Sequence, residues 1–308
     1  MQVFRGIPEK AEKPVALTIG NFDGVHIGHQ SVLARLKEKA ESLSIPACVM
    51  TFEPHPREFF DPENAPARLT DMREKLSIFA KLGMDRVHVC RFDRDFAKMT
   101  AADFEAGIHA GLDAKWVLIG DDFRYGARRT GDFESMTRAA EKFGFEVEAM
   151  HSVKLDGQRI SSTLVREAVF SGKLDFARRL LGRNYSIVGR VVHGNKLGKK
   201  IGFPTANIRL RHNKPPLSGI HVVEVHGITE NALRGVASLG VRPTVMNGGK
   251  PVLEVYLFDF EENIYGARLR VDFLFKLRDE AKFPDLDSLK AQIALDAENA
   301  RQYFENRS

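Results

Sequence analysis

Apolar runs alternate with stretches of helical period through the first half of the chain. Val15–Ile19 is a continuous apolar run of buried-strand length, and Gly28–Glu41 follows it with Leu33, Leu36 and Ala40 on one helical side. Ala47–Phe52 predicts the next strand. Asp71–Leu82 then predicts a helix, opened by Asp71 and Glu74 as a cap pair and turning Leu76 and Phe79 inward. The alternation continues with strand Arg86–Arg91, helix Ala101–Leu112 capped by Thr100, strand Lys115–Ile119, helix Phe133–Phe143 and strand Phe145–Ala149. Five buried strands separated by helices predict an α/β, Rossmann-like, doubly wound parallel sheet. Ligands of such sheets bind at the carboxyl ends of the strands.

After Leu180 the rhythm changes. Val188–Val192, Ile220–Val225, Leu233–Ser238, Val252–Phe258 and Arg268–Leu277 are rich in Val, Leu and Phe and are joined by Gly, Pro and Asn turns, with no helical run between them. A closed or half-closed antiparallel barrel removes the exposed edges such strands would otherwise leave. Leu286–Tyr303 ends the pattern as a helix with Leu289, Ile293, Ala297 and Ala300 at helical spacing. The change falls near Arg183–Asn184, which divides the chain into expected domains 1–183 and 184–308.

Length and composition agree with two ordinary globular domains: 308 residues, 43% hydrophobic and 28% charged. No apolar run approaches the ~18 residues a membrane span needs, so no membrane partner is expected. Met1–Lys13 is polar with both signs of charge, unlike a signal peptide. Cys48 and Cys90 lie inside short apolar runs, which predicts buried, reduced thiols in a cytoplasmic protein. The net charge of +5 is uneven: residues 184–308 hold 18 Lys and Arg against 14 Asp and Glu. Phe176–Val223 has no acidic residue and ten basic ones, which reads as a solvated face, a nucleic-acid patch or a pocket for a polyphosphate.

The first strand runs into Gly20-Asn21-Phe22-Asp23-Gly24-Val25-His26-Ile27-Gly28-His29, and a helix follows. Glycines between strand and helix let backbone N–H groups approach a phosphate, and a helix N-terminus favours negative charge. His26 and His29, separated by Ile-Gly, can face one phosphate group, and imidazoles donating to phosphate oxygens stabilise the charge that builds in nucleotidyl transfer. A zinc site there would need two further ligands, for which no CxxC or second His pair is available. Glu53-Pro54-His55-Pro56, Gly120-Asp121-Asp122-Phe123-Arg124-Tyr125-Gly126 and Ile160-Ser161-Ser162-Thr163-Leu164-Val165-Arg166 follow later strands or open a helix; singly they read as a stiff turn, an Asx turn and a helix cap. Arg166, one turn into that helix, is spaced to reach a triphosphate.

In the second half, glycines at 189, 194, 198 and 202 punctuate a stretch that also holds Arg190, Lys196, Lys199 and Lys200, a loop able to close over phosphates. Thr205 and Asn207 are oxygen donors on alternate positions of an extended segment, a plausible partial shell for Mg²⁺. Glu254 interrupts an apolar strand, with Leu253, Val255 and Leu257 on the other face. It reads either as a solvent-face carboxylate or, if it faces the barrel mouth, as the base for a hydroxyl under attack on a γ-phosphate.

The motifs GNFDGVHIGH, TFEPHP, IGDDFRYG and ISSTLVR, in this order, resemble the adenylyltransferase half of bacterial bifunctional riboflavin kinase/FAD synthetases. Gly189–Ile208, with Pro204-Thr205-Ala206-Asn207, and Glu254 resemble the riboflavin kinase half. The resemblance implies a nucleotidyltransferase domain followed by a six-stranded antiparallel barrel, and synthesis of FMN from riboflavin and of FAD from FMN, each with ATP and Mg²⁺. It implies that His26 and His29 hold ATP phosphates, with Gly20, Asn21, Phe22, Asp23, Gly24 and Asp122 around the ATP and flavin phosphates. Ser162, Thr163 and Arg166 would form a phosphate-binding helix start. In the kinase half it implies nucleotide contacts from Gly189, Gly194, Gly198, Lys199 and Gly202, metal ligation by Thr205 and Asn207, catalysis by Glu254 and a flavin-side role for Arg278. Lys199 stands where the family commonly has Arg, His221 where it has an aromatic, and Val241 where Thr is frequent. His26–His29 also spells the HIGH of class I aminoacyl-tRNA synthetases, whose Lys-rich second loop and tRNA-binding parts are missing here. The alternatives are retention of one activity alone, or a nucleotide- or nucleic-acid-binding protein using the 176–223 block. Small-molecule partners and no nucleic acid are expected; the oligomeric state is open.

Overall fold

In a computed structural model the described residues are 1–194, 198, 201–210, 214–241 and 251–307. They form two compact units, one of residues 1–66 and 72–161, the other of 67–71 and 162–308.

The first unit is a six-stranded, all-parallel sheet of β1 (Gln2–Arg5), β2 (Val15–Ile19), β3 (Ala47–Glu53), β4 (Arg86–Arg91), β5 (Ala114–Gly120) and β6 (Glu146–Met150). Helices α1 (Ile27–Ser42), α2 (Pro56–Phe60), α3 (Met72–Lys81), α4 (Arg94–Lys98), α5 (Ala101–Leu112) and α6 (Phe133–Phe143) connect them. Neighbouring β2 residues go to opposite faces: Leu17 and Ile19 join one buried cluster, Ala16 the other. This two-sided burial is why the strand reads as an unbroken apolar run. Five of the six strands are those the periodicity predicts; the sixth, β1, pairs in parallel with β4 from Gln2↔Arg86 to Arg5↔Val89. Its Phe4 stacks on His88 at 4.9 Å. After β6 a short antiparallel pair forms, β7 (Lys154–Leu155) with β8 (Gln158–Arg159).

Strand order is β1-β4-β3-β2-β5-β6. From β2 the chain steps outward through β3 and β4, then returns to β2's other side for β5 and β6. Strand order therefore reverses at β2, and a ligand crevice is expected beyond the carboxyl ends of β2 and β5.

The second unit begins with α7 (Ser162–Phe170) and α8 (Leu174–Leu181) and closes with α9 (Leu286–Glu305). Between them β9 (Tyr185–Val192), β10 (Ala206–Arg209), β11 (Gly219–His226), β12 (Leu233–Val241), β13 (Pro251–Leu257) and β14 (Arg268–Arg278) form a closed barrel, order β10-β13-β12-β11-β14-β9. All six pairings are antiparallel. Leu253, Val255, Leu239 and Val271 fill the interior, and His221 is also fully buried. Helix α9 roofs an outer face, burying Ala297, Ala300 and Phe304 against Ile220, Val222, Val236 and Phe258. The boundary read at 183/184 marks where strands take over from helices. Packing assigns α7 and α8 to the strand unit, because α8 sits on β9 and β14.

Both cysteines are buried and unpaired. Among the described residues no helix is long and apolar enough to cross a membrane. The basic block is spread over α8 (Arg178, Arg179), β9 (Arg190) and β10 (Arg209); Lys196, Lys199, Lys200 and Arg211 lie outside the described residues.

Candidate functional sites

Beyond β2 the backbone turns sharply: Phe22, Gly24 and Val25 take left-handed φ values of 49°, 81° and 40°. Two non-glycine residues in that region carry a local conformational cost, which surrounding contacts must hold in place. Phe22 is buried and packs edge-on against Phe79 and His29, with centroids 5.6 and 5.1 Å away. The turn delivers His26 to the N-cap of α1, where its Nδ1 accepts the His29 N–H at 3.3 Å. An imidazole accepting through Nδ1 carries its neutral-form proton on Nε2, a donor of the kind an anion takes. The two rings stack with centroids 3.7 Å apart and planes 15° from parallel. Gly28 permits this, since a Cβ there would come within 3.2 Å of His26 Nδ1.

His29 is held neutral. Burial, then the neighbouring His26, then Lys75 push its imidazole well below the ordinary value. His29 Nδ1 and Asn21 Oδ1 are sealed from solvent with no hydrogen-bond partner among the described residues. Asp23 is buried in the same turn. The Asn21 carbonyl accepts from Lys75 Nζ at 2.7 Å and from Thr51 Oγ1 at 3.3 Å.

Gly20, Asn21 and Asp122 line one cleft of about 780 Å³ at this sheet end. Its wall is aromatic: Phe52, Phe60, Phe92, Phe96, Phe123 and Tyr125. Five cations, Arg57, Lys98, Arg124, Arg128 and Arg129, share the lining. Tyr125 is fixed by donating to Glu105 Oε1 at 2.5 Å. Asp122 pairs with Arg159 at 2.6 Å, an exposed contact of small energetic weight. His55 caps the short α2, accepting from the Arg57 N–H at 3.1 Å. Among the described residues no three His, Cys, Asp or Glu side chains gather as metal ligands.

Ser162, Thr163 and Arg166 open α7 in the second unit. Arg166 Nε donates to the Ala67 carbonyl at 2.6 Å, tying α7 to the short segment 67–71.

The barrel unit holds a second cavity of about 340 Å³, lined by Gly198, Thr205, Asn207, Glu254 and Arg278 together with apolar Ile220, Tyr256, Phe283 and Ile293. The ladder sets the polar side, for Asn207 lies directly opposite Glu254 across β10–β13, and Ser238 faces Glu254 on the other flank. Glu254 is thus on the outer barrel face, opposite the buried Leu253 and Val255, where it is half-buried and lines the cavity.

The glycines act through space. A Cβ on Gly194 would overlap the Asn207 amide, and one on Gly189 would overlap Ile208 and reach 2.7 Å from the Arg209 carbonyl. Gly198 supplies the carbonyl that accepts from Phe203 N–H at 2.8 Å and Ile201 N–H at 3.2 Å. Gly202 has a φ of 90°. Lys199 lies outside the described residues, as does the side chain of Val241. His221 is inside the barrel, edge-on to Phe273 at 5.4 Å, and lines neither cavity. Sequence reasoning passed over Lys75, Asp296 and most of the aromatic cleft wall.

Comparison with known proteins shows matching family models in both halves: FAD synthetase over residues 8–164 and riboflavin kinase over residues 181–304. A bifunctional riboflavin kinase/FMN adenylyltransferase of Haemophilus influenzae is 48% identical over 307 residues, covering 99% of each chain. One from Escherichia coli K12 is 46% identical over 308 residues, covering 99% of this chain and 98% of the other. A crystal structure described as a macrolide-efflux protein from Streptococcus pneumoniae aligns with a TM-score of 0.82 at 30% identity, over 97% of this chain and 98% of that one.

Proposed function

Because the chain belongs to the family of bifunctional riboflavin kinase/FMN adenylyltransferases, we propose that its two reactions run at the two sites just described. The protein phosphorylates riboflavin to FMN and adenylylates FMN to FAD, using ATP in each step. The observation that carries the assignment is the separation of the chemistry into two clusters: a stacked imidazole pair on the first unit, and an oxygen-donor pair facing a carboxylate on the second.

In the barrel cavity, the 5′-hydroxyl of riboflavin attacks the γ-phosphorus of ATP. The new O–P bond forms as the bond to the β-phosphate oxygen breaks, ADP leaves, and the hydroxyl proton passes to Glu254. The Thr205 hydroxyl and the Asn207 amide oxygen are hard, neutral donors beside Glu254, a set that suits Mg²⁺, which takes its remaining ligands from phosphates and water. They would hold the ion, and when bound it supplies charge neutralisation on the transferring phosphate. The apolar Tyr256, Phe283 and Ile293 accommodate the flavin ring.

At the end of the parallel sheet, a phosphate oxygen of FMN attacks the α-phosphorus of ATP and pyrophosphate leaves. No protein nucleophile is needed, so positioning and charge stabilisation carry the catalysis. His26 and His29 take the triphosphate, with the orphaned His29 Nδ1 donating to one of its oxygens when the ring proton sits there. The aromatic cleft with its five cations suits a flavin bearing a phosphate. The buried thiols fit a reducing, cytoplasmic setting.

Chromatography of the products from riboflavin and Mg-ATP tests the reading. FMN appearing first and FAD after it is the expected result. FMN alone, or no flavin product, would remove one or both assignments.

A further inference from the structure

One buried carboxylate has no part in either reaction above. Asp296 lies on α9 along the stripe of Leu289, Ile293, Ala297 and Ala300, where an apolar residue is the ordinary occupant, and it is 4% exposed. Its Oδ1 accepts from Arg278 Nε at 2.9 Å and from Gln292 Nε2 at 2.9 Å; its Oδ2 accepts from Arg278 Nη2 at 2.6 Å. Arg278 also donates through Nη1 to the Asp279 carbonyl at 2.9 Å, and its guanidinium lies 5.8 Å from the Phe283 ring centre. Stability does not account for such a pair, since apolar replacements of buried ion pairs are often neutral or stabilising. Specific geometry does. Arg278, Asp296 and Phe283 line the same cavity as Thr205, Asn207 and Glu254.

A guanidinium has five N–H groups in a fixed plane. Those three contacts leave one N–H on Nη1 and one on Nη2, while Asp296 cancels the positive charge. The remaining donors therefore suit an uncharged planar acceptor better than a phosphate. We propose that Asp296, steadied by Gln292, is a positioning residue for the kinase reaction: it fixes the Arg278 plane as a neutral pair that receives the carbonyl-bearing ring of riboflavin. The inference rests on the kinase reading of this cavity.

The test measures riboflavin KM, ATP KM and kcat for FMN formation in the unmodified protein, Asp296→Asn, Arg278→Lys, the double variant and Gln292→Ala. Asp296→Asn is expected to raise riboflavin KM about tenfold, as losing a charge-assisted contact does. Its kcat should stay within about threefold and its ATP KM should not change. In the double variant, Asp296→Asn should add less than about twofold to the effect of Arg278→Lys, because the two act as one unit. Gln292→Ala, a milder change on a half-buried helix position, should move riboflavin KM in the same direction by a smaller factor with an unchanged melting temperature, and keeps the test open if Asp296→Asn does not fold. Independent, multiplying effects in the double variant, or KM changes shared equally by riboflavin and ATP, would overturn the positioning role. An unmodified protein that makes no FMN would instead remove the kinase reading, and this inference with it.

Discussion

Replacing Gly194 by alanine puts the kinase account under direct strain. A Cβ at this position overlaps the carbon, nitrogen and oxygen of the Asn207 amide together. Ordinary carbon contacts need about 3.5 Å, so the amide or the loop must retreat by roughly 1 Å. Misplacement on that scale costs about a hundredfold in rate when positioning carries the chemistry, close to 2.7 kcal/mol of transition-state stabilisation. The assay is the initial rate of FMN formation from riboflavin with saturating Mg-ATP, alongside FAD formation from supplied FMN. Gly194→Ala should lose about two orders of magnitude in the first and keep the second. Asn207→Ala sets the ceiling, and adding Gly194→Ala to it should change nothing further. A Gly194→Ala protein with kinase activity within about threefold of the unmodified chain would refute the reasoning, because Asn207 would then not be needed where the structure holds it.

Other outcomes follow from single residues. Gly28→Ala improves helix propensity by up to about 1 kcal/mol yet crowds His26 Nδ1 at 3.2 Å; thermal stability should hold or rise while FAD formation falls several-fold. Lys75→Met removes the donor to the Asn21 carbonyl and one cause of the lowered His29 pKa; ATP KM for FAD formation should rise, and NMR titration should find His29 nearer its ordinary value. His221 is pushed down from 6.5 to about 4, chiefly by burial, with Lys276 lowering it further and the Ser218 carbonyl and Asp279 opposing. The unfolded imidazole takes up its proton first, so this contribution is whole above pH 6.5 and is lost as pH falls towards 4, roughly 3 kcal/mol in all. Denaturant unfolding at pH 7.5 and 4.5 should show the unmodified protein losing more stability than His221→Phe by about 2.5 kcal/mol, most of that total; equal losses would place the proton elsewhere.

Much of the fold is legible because its elements are two-sided or strictly alternating. Val15–Ile19 is buried on both faces and reads as a strand at sight, and the HxGH turn announces itself through its glycines and its place after that strand. What escaped notice is short or peripheral. Strand β1 has four residues at a sheet edge, mostly exposed, with only the ring of Phe4, against His88 and Arg86, to mark it. Strand β10, also four residues, was expected only as an extended segment carrying Thr205 and Asn207, since Pro204 masks its start. Lys75 and Asp296 had a signal that charge alone conceals. Lys75 falls at helical spacing with Met72, Leu76 and Phe79, and Asp296 with Leu289, Ile293 and Ala300, so each is a charge on an apolar stripe. A lone charge inside an amphipathic helix reads as solvated, but its position on the stripe marks it as buried and therefore paired. The aromatic cleft wall gathers side chains from β3, α2, α4 and the loops after β4 and β5, a convergence that no local window contains.

The central claim is that one chain carries two independent reactions, and the complementary pair His29→Ala and Glu254→Gln tests it most directly. Each variant is incubated with riboflavin and Mg-ATP, each with FMN and Mg-ATP, and the two are then mixed. His29→Ala should accumulate FMN and form no FAD. Glu254→Gln should leave riboflavin largely unphosphorylated yet convert supplied FMN to FAD. The equimolar mixture should restore FAD synthesis from riboflavin. A folded variant that loses both FMN formation from riboflavin and FAD formation from supplied FMN, or a mixture that makes no FAD, would contradict two separate sites.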